Sequence, residues 1–309
     1  MLVMITFLSA GAGTLPLVAG MRSILHDSEI AVIPGTADAL WLPGGHVLRE
    51  ADAVLYLFAG LLNTATWQGI QGDSYATHRF LTAIGLPEAL ALGDRERAAT
   101  IARADLLGAG MSLTAATELL AAGIGCGAAV LPVTDVPVQG MVRTGKGALP
   151  LALWREHPTA GDPEGFALEH PAPLAATAKA CACIRASDAV IIGPCEPVSG
   201  IMPLLACTGI AGALASAYVI VISPFSGKHD GSGPEGALLR AEGYPATSES
   251  VREIVGTTAD LFVQDTRDPA EVAGSLRLDT RMATKNRAES FAWDLMAIIR
   301  RASAQKRSW

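Results

Sequence analysis

Two acids spaced two apart, Glu50 and Asp52, stand at the head of the apolar run "READAVLYLFAG" (49–60). Elsewhere three glycine-rich stretches each continue a β-branched or apolar run: "LSAGAGTLPL" (8–17), "IIGPCEPVSGIMP" (191–203) and "VISPFSGKHDGSGPEGALL" (221–239). Glycine lets backbone N–H groups approach a ligand, and a helix N-terminus directly after it favours an anion. Gly11, Gly13 and Thr14, then Gly193, Pro194 and Ser199, then Ser223 are therefore candidate phosphate contacts. Several such loops converge more naturally on a phosphate-bearing ligand than on an apolar one. Carboxylates near them suit Mg²⁺, which takes one or two together with substrate phosphate and water. Each feature also has a plainer reading. Acids in a first helical turn partner the dipole, and a strand-to-helix turn needs glycine for local reasons.

Further candidates lie in three other stretches. In "TWQGIQGDSYATHRF" (66–80), Trp67 beside Gly69 either stacks on a flat ring or anchors the core. In "LGDRERA" (92–98), Asp94 reads as an N-cap, and Arg95 meets a phosphate or a neighbouring acid. "LPVTDVPV" (131–138) places Asp135 just past a strand, where ligands gather at the carboxyl edge of a parallel sheet. The first loop is neither a Walker A nor a GxGxxG in proper form, and the chain holds no nucleophile elbow, HExxH, DxD repeat or CxxC. The residues therefore give no support to covalent catalysis or zinc chemistry. The six histidines are scattered and carry no assignment.

Elements must hold these residues in place. Short β-branched runs alternate with longer Ala/Leu-rich segments, which implies α/β layering. Strands are expected at 2–8, 29–33, 128–131, 189–192, 218–222 and 260–263. Helices are expected at 14–26, 50–62, 73–84, 95–107, 112–122, 172–185, 202–216, 234–241, 248–255 and 284–302, with start signals at Ser112 and Thr284. The 309 residues are expected to form one large α/β domain with an accessory lobe. The Gly/Pro/charge-rich stretch 140–172 reads as an insert or hairpin excursion, and basic 303–309 as a frayed tail.

Half the residues are hydrophobic and only 17% are charged, enough for a sizeable core. The net charge of −7 argues against a non-specific nucleic-acid binder. Cys126, Cys181, Cys183, Cys195 and Cys207 are odd in number and match no zinc spacing, so buried thiols in a reducing compartment are expected. The first fifteen residues are apolar but lack a basic n-region, and Gly11 and Gly13, with Pro16 next, break the run. A buried strand is expected there rather than a signal peptide or membrane span, with the cytoplasm as the location. Leu204, Leu205 and Ile210 face either the core or a partner subunit, and a homodimer is the commonest assembly on general grounds.

Together the motifs resemble the 2-phospho-L-lactate transferase family of coenzyme F-420 biosynthesis. The resemblance runs in order through "SAGAGT", "ADAVLYLFAGLLNTATWQGIQGDS", "LGDRERAATIARADLL", "SLTAATELL", "LPVTDVPV", "IIGPCEPVSGIMPLLA", "VISPFSG" with "SGPEG", and "DTRMAT". It implies a Rossmann-like, mostly parallel sheet with helices on both faces and a smaller lobe over the cleft. It implies a magnesium-dependent enzyme that joins a deazaflavin alcohol, 7,8-didemethyl-8-hydroxy-5-deazariboflavin, to a small phospho-acid. The donor would be a guanosine-diphosphate ester of lactate, phosphoenolpyruvate or glycerate type, and GMP would leave. On this resemblance Asp52 is expected as metal ligand or base, aided by Glu50, and the glycine loops as the diphosphate cradle. Trp67 and Gly69 would border the deazaflavin. The chain departs from the family pattern at Glu50, Ala91, Val136, Cys195 and Glu196, at Gly35 and at Ala12. A carboxylate at Glu196 would repel a diphosphate unless a cation lies between. The departures leave open a relative that binds deazaflavin or nucleotide without this turnover.

Overall fold

A computed structural model describes residues 3–11, 13–227, 231 and 233–306. In chain order the strands are β1 (Ile5–Ser9), β2 (Ile30–Pro34), β3 (Leu40–Leu42), β4 (Gly45–Val47), β5 (Ala129–Val130), β6 (Gln139–Thr144), β7 (Gly147–Pro150), β8 (Pro163–Glu169), β9 (Ala189–Ile192), β10 (Val219–Ile222), β11 (Leu261–Asp265) and β12 (Leu276–Leu278). The helices are α1 (Thr14–Met21), α2 (Arg49–Phe58), α3 (Ala76–Ala83), α4 (Asp94–Gly108), α5 (Leu113–Ile124), α6 (Leu151–Glu156), α7 (Ala178–Ala186), α8 (Met202–Ala206), α9 (Ile210–Leu214), α10 (Pro234–Ala241), α11 (Ser248–Val255) and α12 (Lys285–Lys306).

Seven strands form one sheet in the order β12-β11-β10-β9-β1-β2-β5, with every neighbouring pair parallel. The chain winds outward from β1 to β5, then returns to β9 on the other side of β1 and continues to β12. That reversal opens a crevice beyond the carboxyl ends of β1 and β9. The central strands read as continuous apolar runs because both faces are covered. Period-2 alternation divides them. Phe7, Ile191 and Ile220 pack with Leu17 of α1, Val54 of α2 and Phe291 of α12. Leu8, Val190 and Val221 pack with Ile184 of α7, Ile210 of α9, Leu239 of α10 and Val251 of α11. The Rossmann-like α/β arrangement with helices on both faces is thus as expected.

The expected strands of the large sheet all form, with ends shifted by a few residues. Ser112 caps α5 by accepting from Ala115 N–H at 3.2 Å, and Thr284 accepts from Arg287 N–H at 3.4 Å. The helix expected over 172–185 starts only at Ala178, where Thr177 caps it by accepting from Ala180 N–H at 3.0 Å. The helix expected over 202–216 breaks at Gly209, whose φ of 100° is left-handed, and a π-helical turn, Pro197–Ile201, precedes it. Stretch 140–172 is an antiparallel sheet, β7-β6-β8, with α6 between β7 and β8. The hairpin β3–β4 and strand β12 have too few residues to show a period. Helix α12 continues to Lys306, so 303–306 are helical rather than frayed, while 307–309 and Ala12 lie outside the described residues. Leu204 and Ile210 face the core, and Leu205 packs partly buried beside them. All five cysteines are free thiols. Among the described residues no helix is long and apolar enough to cross a membrane.

Candidate functional site

The loops leaving β1 and β9 interlock at the crevice. A Cβ on Gly13 would collide with the Pro194 carbonyl, and one on Gly193 would collide with the Thr14 side chain. Ala10 N–H donates to Cys195 Sγ at 3.2 Å. Burial pushes the Cys195 thiol up to about 12, so it stays a neutral packing group. Gly11, at φ 112°, lies directly against Glu196, where an added Cβ would sit 2.9 Å from the Glu196 Cδ. The first two candidate loops are therefore one surface. The third joins them across a cleft of about 520 Å³ bordered by Gly13, Pro194, Glu196, Ser223, Glu235 and Arg281. Ser223 is buried and its hydroxyl is shared with Ser248 at 2.5 Å, so it holds the loop rather than offering a free donor.

Beneath Glu196 lies a recess of about 20 Å³, bordered by Gly11, Gly35, Asp38, Glu50, Arg155 and Ser199 among others. That volume suits one water or one ion. Glu50 comes from the first turn of α2. It accepts a hydrogen bond from Ser9 Oγ and another from Gly11 N–H at 2.8 Å, and its own N–H donates to Asp38 Oδ2 at 3.1 Å. Burial raises Glu50 to about 7 despite these bonds, and it raises Asp38 as well. Asp38 Oδ1 is buried with no hydrogen-bond partner. Among the described residues no three His, Cys, Asp or Glu side chains could hold a metal ion as a cage. Two carboxylates facing a one-ion recess, one oxygen unpartnered, are a donor set that Mg²⁺ can complete with water and phosphate oxygens.

Asp52 does not share this recess. Its carboxylate meets the Arg103 guanidinium through both oxygens, the Nη1–Oδ2 bond being 3.1 Å, and Leu48 N–H donates to Oδ2 at 3.2 Å. Arg103 is fully buried and also donates to the His46 carbonyl at 2.9 Å. Burial opposes the charge on Arg103, but the attraction of Asp52 outweighs it and holds the guanidinium above its usual range. The expected role of Asp52 as metal ligand or base therefore does not fit. Positions 50 and 52 are about 200° apart on a helix, so the two acids point to different sides.

Other candidates also turn out to hold the scaffold. Asp94 caps α3, not its own helix, by accepting from Ala76 and Thr77 N–H at 2.9 Å. Asp73 returns the exchange, accepting from Arg95 and Glu96 N–H at 3.1 Å at the start of α4. Asp73→Ala should therefore cost about 1 kcal/mol of stability, read as a lower denaturant midpoint. Arg95 is exposed, and its backbone serves this cap. Asp135 accepts from Thr114 N–H at 2.7 Å and fastens the start of α5. Gly69 borders a cleft of about 230 Å³ with Asp52, Tyr56, Ala91 and Glu96. Trp67, at φ 56°, borders a different one of about 290 Å³ with Met282 and Lys285, so the two do not form one platform.

A cleft of about 440 Å³ opens beside Thr36, Trp41, His46, Val136 and Val138. Trp41 is 57% exposed and meets His46 edge-on at 4.7 Å. Thr36 lies between Gly35 and Ala37, which border the small recess. The recess thus stands between two clefts, reached through Glu196 on one side and through residues 35–37 on the other. Asp38, Trp41 and Arg155 escape sequence reasoning. Asp38 alone carried a signal, as an acid just past the end of β2.

A family model for 2-phospho-L-lactate transferase CofD matches residues 5–292. A 2-phospho-L-lactate transferase of Methanocorpusculum labreanum is 43% identical over 303 residues, covering 96% of this chain and all of that one. The protein of that name from Methanospirillum hungatei is also 43% identical, covering 95% of this chain and 99% of its own. That from Methanocaldococcus jannaschii is 33% identical over 87% of this chain and 88% of its own. Among solved structures, a member of the upf0052 family from Bacillus halodurans superposes with a TM-score of 0.55 at 14% identity. It covers 94% of this chain and 91% of that one, a likeness of fold.

Proposed function

This chain belongs to the 2-phospho-L-lactate transferase family, and from that premise we propose that it transfers a small phospho-acid to a deazaflavin alcohol. The acid is of the 2-phospholactate, phosphoenolpyruvate or phosphoglycerate type and arrives joined through its one phosphate to GMP, as the guanosine-diphosphate ester of the parent hydroxy-acid. The acceptor is 7,8-didemethyl-8-hydroxy-5-deazariboflavin. The primary hydroxyl of its ribityl chain attacks the phosphorus that carries the acid. An O–P bond forms, the diphosphate bridge breaks, GMP leaves and one proton is released. One observation carries the reading: two ligand-sized clefts meet at a single carboxylate recess at the switch point of a parallel sheet.

The residues fall into roles on this proposal. The interlocked Gly11–Thr14 and Gly193–Ser199 loops border the larger cleft and hold the donor's diphosphate. Glu50 and Asp38 would hold Mg²⁺, in place of the expected Asp52 and Glu50 pair. The ion, when bound, neutralises charge on the transferring phosphoryl group. Phosphoryl transfer is mostly positioning and charge neutralisation, so no covalent intermediate is required. The deazaflavin ring lies in the 440 Å³ cleft against Trp41, in place of the expected Trp67.

The first test is an assay with the deazaflavin alcohol, Mg²⁺ and the three donors, read by mass spectrometry. Product from one of them supports the transferase and names its acid. Bound deazaflavin with no product from any donor would sink the proposed reaction. Trp41→Ala should weaken deazaflavin binding on the order of tenfold by fluorescence titration, while Trp67→Ala leaves it unchanged.

A further inference from the structure

Arg155 reaches from α6 into the wall between the large cleft and the recess, and three groups hold it there. Its Nε donates to Glu235 Oε1 at 3.0 Å, and its Nη2 donates to Glu196 and to Ser199 Oγ at 2.9 Å. Ser199 in turn donates to Glu235 Oε2 at 2.8 Å. The Arg155 side chain is only 25% exposed, and it borders the recess with Asp38 and Glu50. It supplies the cation beside Glu196, whose carboxyl also lies against Gly11.

Two features of this cluster point past a structural ion pair. A guanidinium fork matches one carboxylate through two parallel bonds, yet here it is split between two glutamates, one contact to each. Its Nη1 makes no hydrogen bond among the described residues. In addition, the Glu196 carboxyl rests on Gly11, the glycine of the first anion loop. A carboxylate that belongs to the protein therefore stands at the junction of cleft and recess, where a small acid joined to a diphosphate would place its own.

We propose that Arg155 binds the carboxylate of the transferred acid, taking it in exchange for Glu196. This rests on the transferase reading and adds its determinant for the acid. Glu235 and Ser199 keep the guanidinium in place while Glu196 gives way. No bond is made or broken in the exchange.

The test uses calorimetry on the whole chain with Mg²⁺ and three probes: lactate joined through its hydroxyl to guanosine diphosphate, the methyl ester of that compound, and guanosine diphosphate alone. The unsubstituted protein should prefer the free acid to its ester about tenfold or more. Arg155→Met should weaken the free acid on the order of 30-fold or more, abolish that preference and leave guanosine diphosphate within about twofold. Arg155→Lys, which keeps charge and loses the fork, should fall between. Glu196→Gln should tighten the free acid several-fold and the ester distinctly less. The proposal is overturned if the unsubstituted protein shows no preference, if Arg155→Met weakens guanosine diphosphate as much as the acid, or if Glu196→Gln weakens the acid. Should Arg155→Met melt early, Arg155→Lys and Glu196→Gln decide alone. A preference for the free acid without deazaflavin product supports this inference while removing the acceptor; product without any preference removes this inference and leaves the transferase.

Discussion

Asp52→Ala is expected to destabilise the protein by about 3–5 kcal/mol, because it strands the Arg103 guanidinium in a dry interior. The Asp52 carboxylate supplies bonds to both Nη atoms, and nothing else near it is charged to replace them except the more distant acids that also favour the guanidinium. Melting temperature should fall on the order of 10 °C. Replacing both partners by apolar residues, as in Asp52→Leu with Arg103→Met, should recover much of the loss, since an apolar pair of similar volume removes the buried charge altogether. The His46 carbonyl would still lose its donor, which sets a ceiling on the recovery. Asp52→Asn should retain turnover per folded molecule. A normal melting temperature with abolished turnover in Asp52→Asn would return Asp52 to the chemistry and overturn this assignment.

The opposite pattern is expected two residues away. Glu50→Gln should fold, because the amide keeps the shape of the side chain and its oxygen can still accept from Ser9 or Gly11. Turnover should fall at least about a hundredfold, since charge neutralisation by a bound divalent ion is worth several kcal/mol in the transition state. A second readout separates metal loss from other damage. Mg²⁺ with guanosine diphosphate should raise the melting temperature of the unsubstituted protein, and that increment should shrink in Glu50→Gln. An unchanged increment would remove Glu50 from the metal site whatever happens to activity.

These two acids also mark the boundary between what is local and what is not. Fold class was legible because period-2 apolar runs and Ala/Leu-rich helices are local patterns, and because fully buried parallel strands such as Ala189–Ile192 carry no polar residue. The caps at Ser112 and Thr284 were legible for the same reason, each acting within three residues. The glycine loops after β1 and β9 were identifiable one at a time, and the close approach that demands Gly13 and Gly193 explains why they are glycine.

Which acid faces the cleft was decided elsewhere. Asp52 is claimed by Arg103, 51 residues away, and Glu196 by Arg155, 41 residues away. Asp94 and Asp73 exchange caps across two helices, so each serves the helix that the other begins or precedes. The sequence alone therefore determined the layered α/β fold, the glycine loops at strand ends and a shortlist of acids. Only the tertiary structure decided their roles, because a charged side chain's state depends on the nearest opposite charge in space, and chain order does not record that distance.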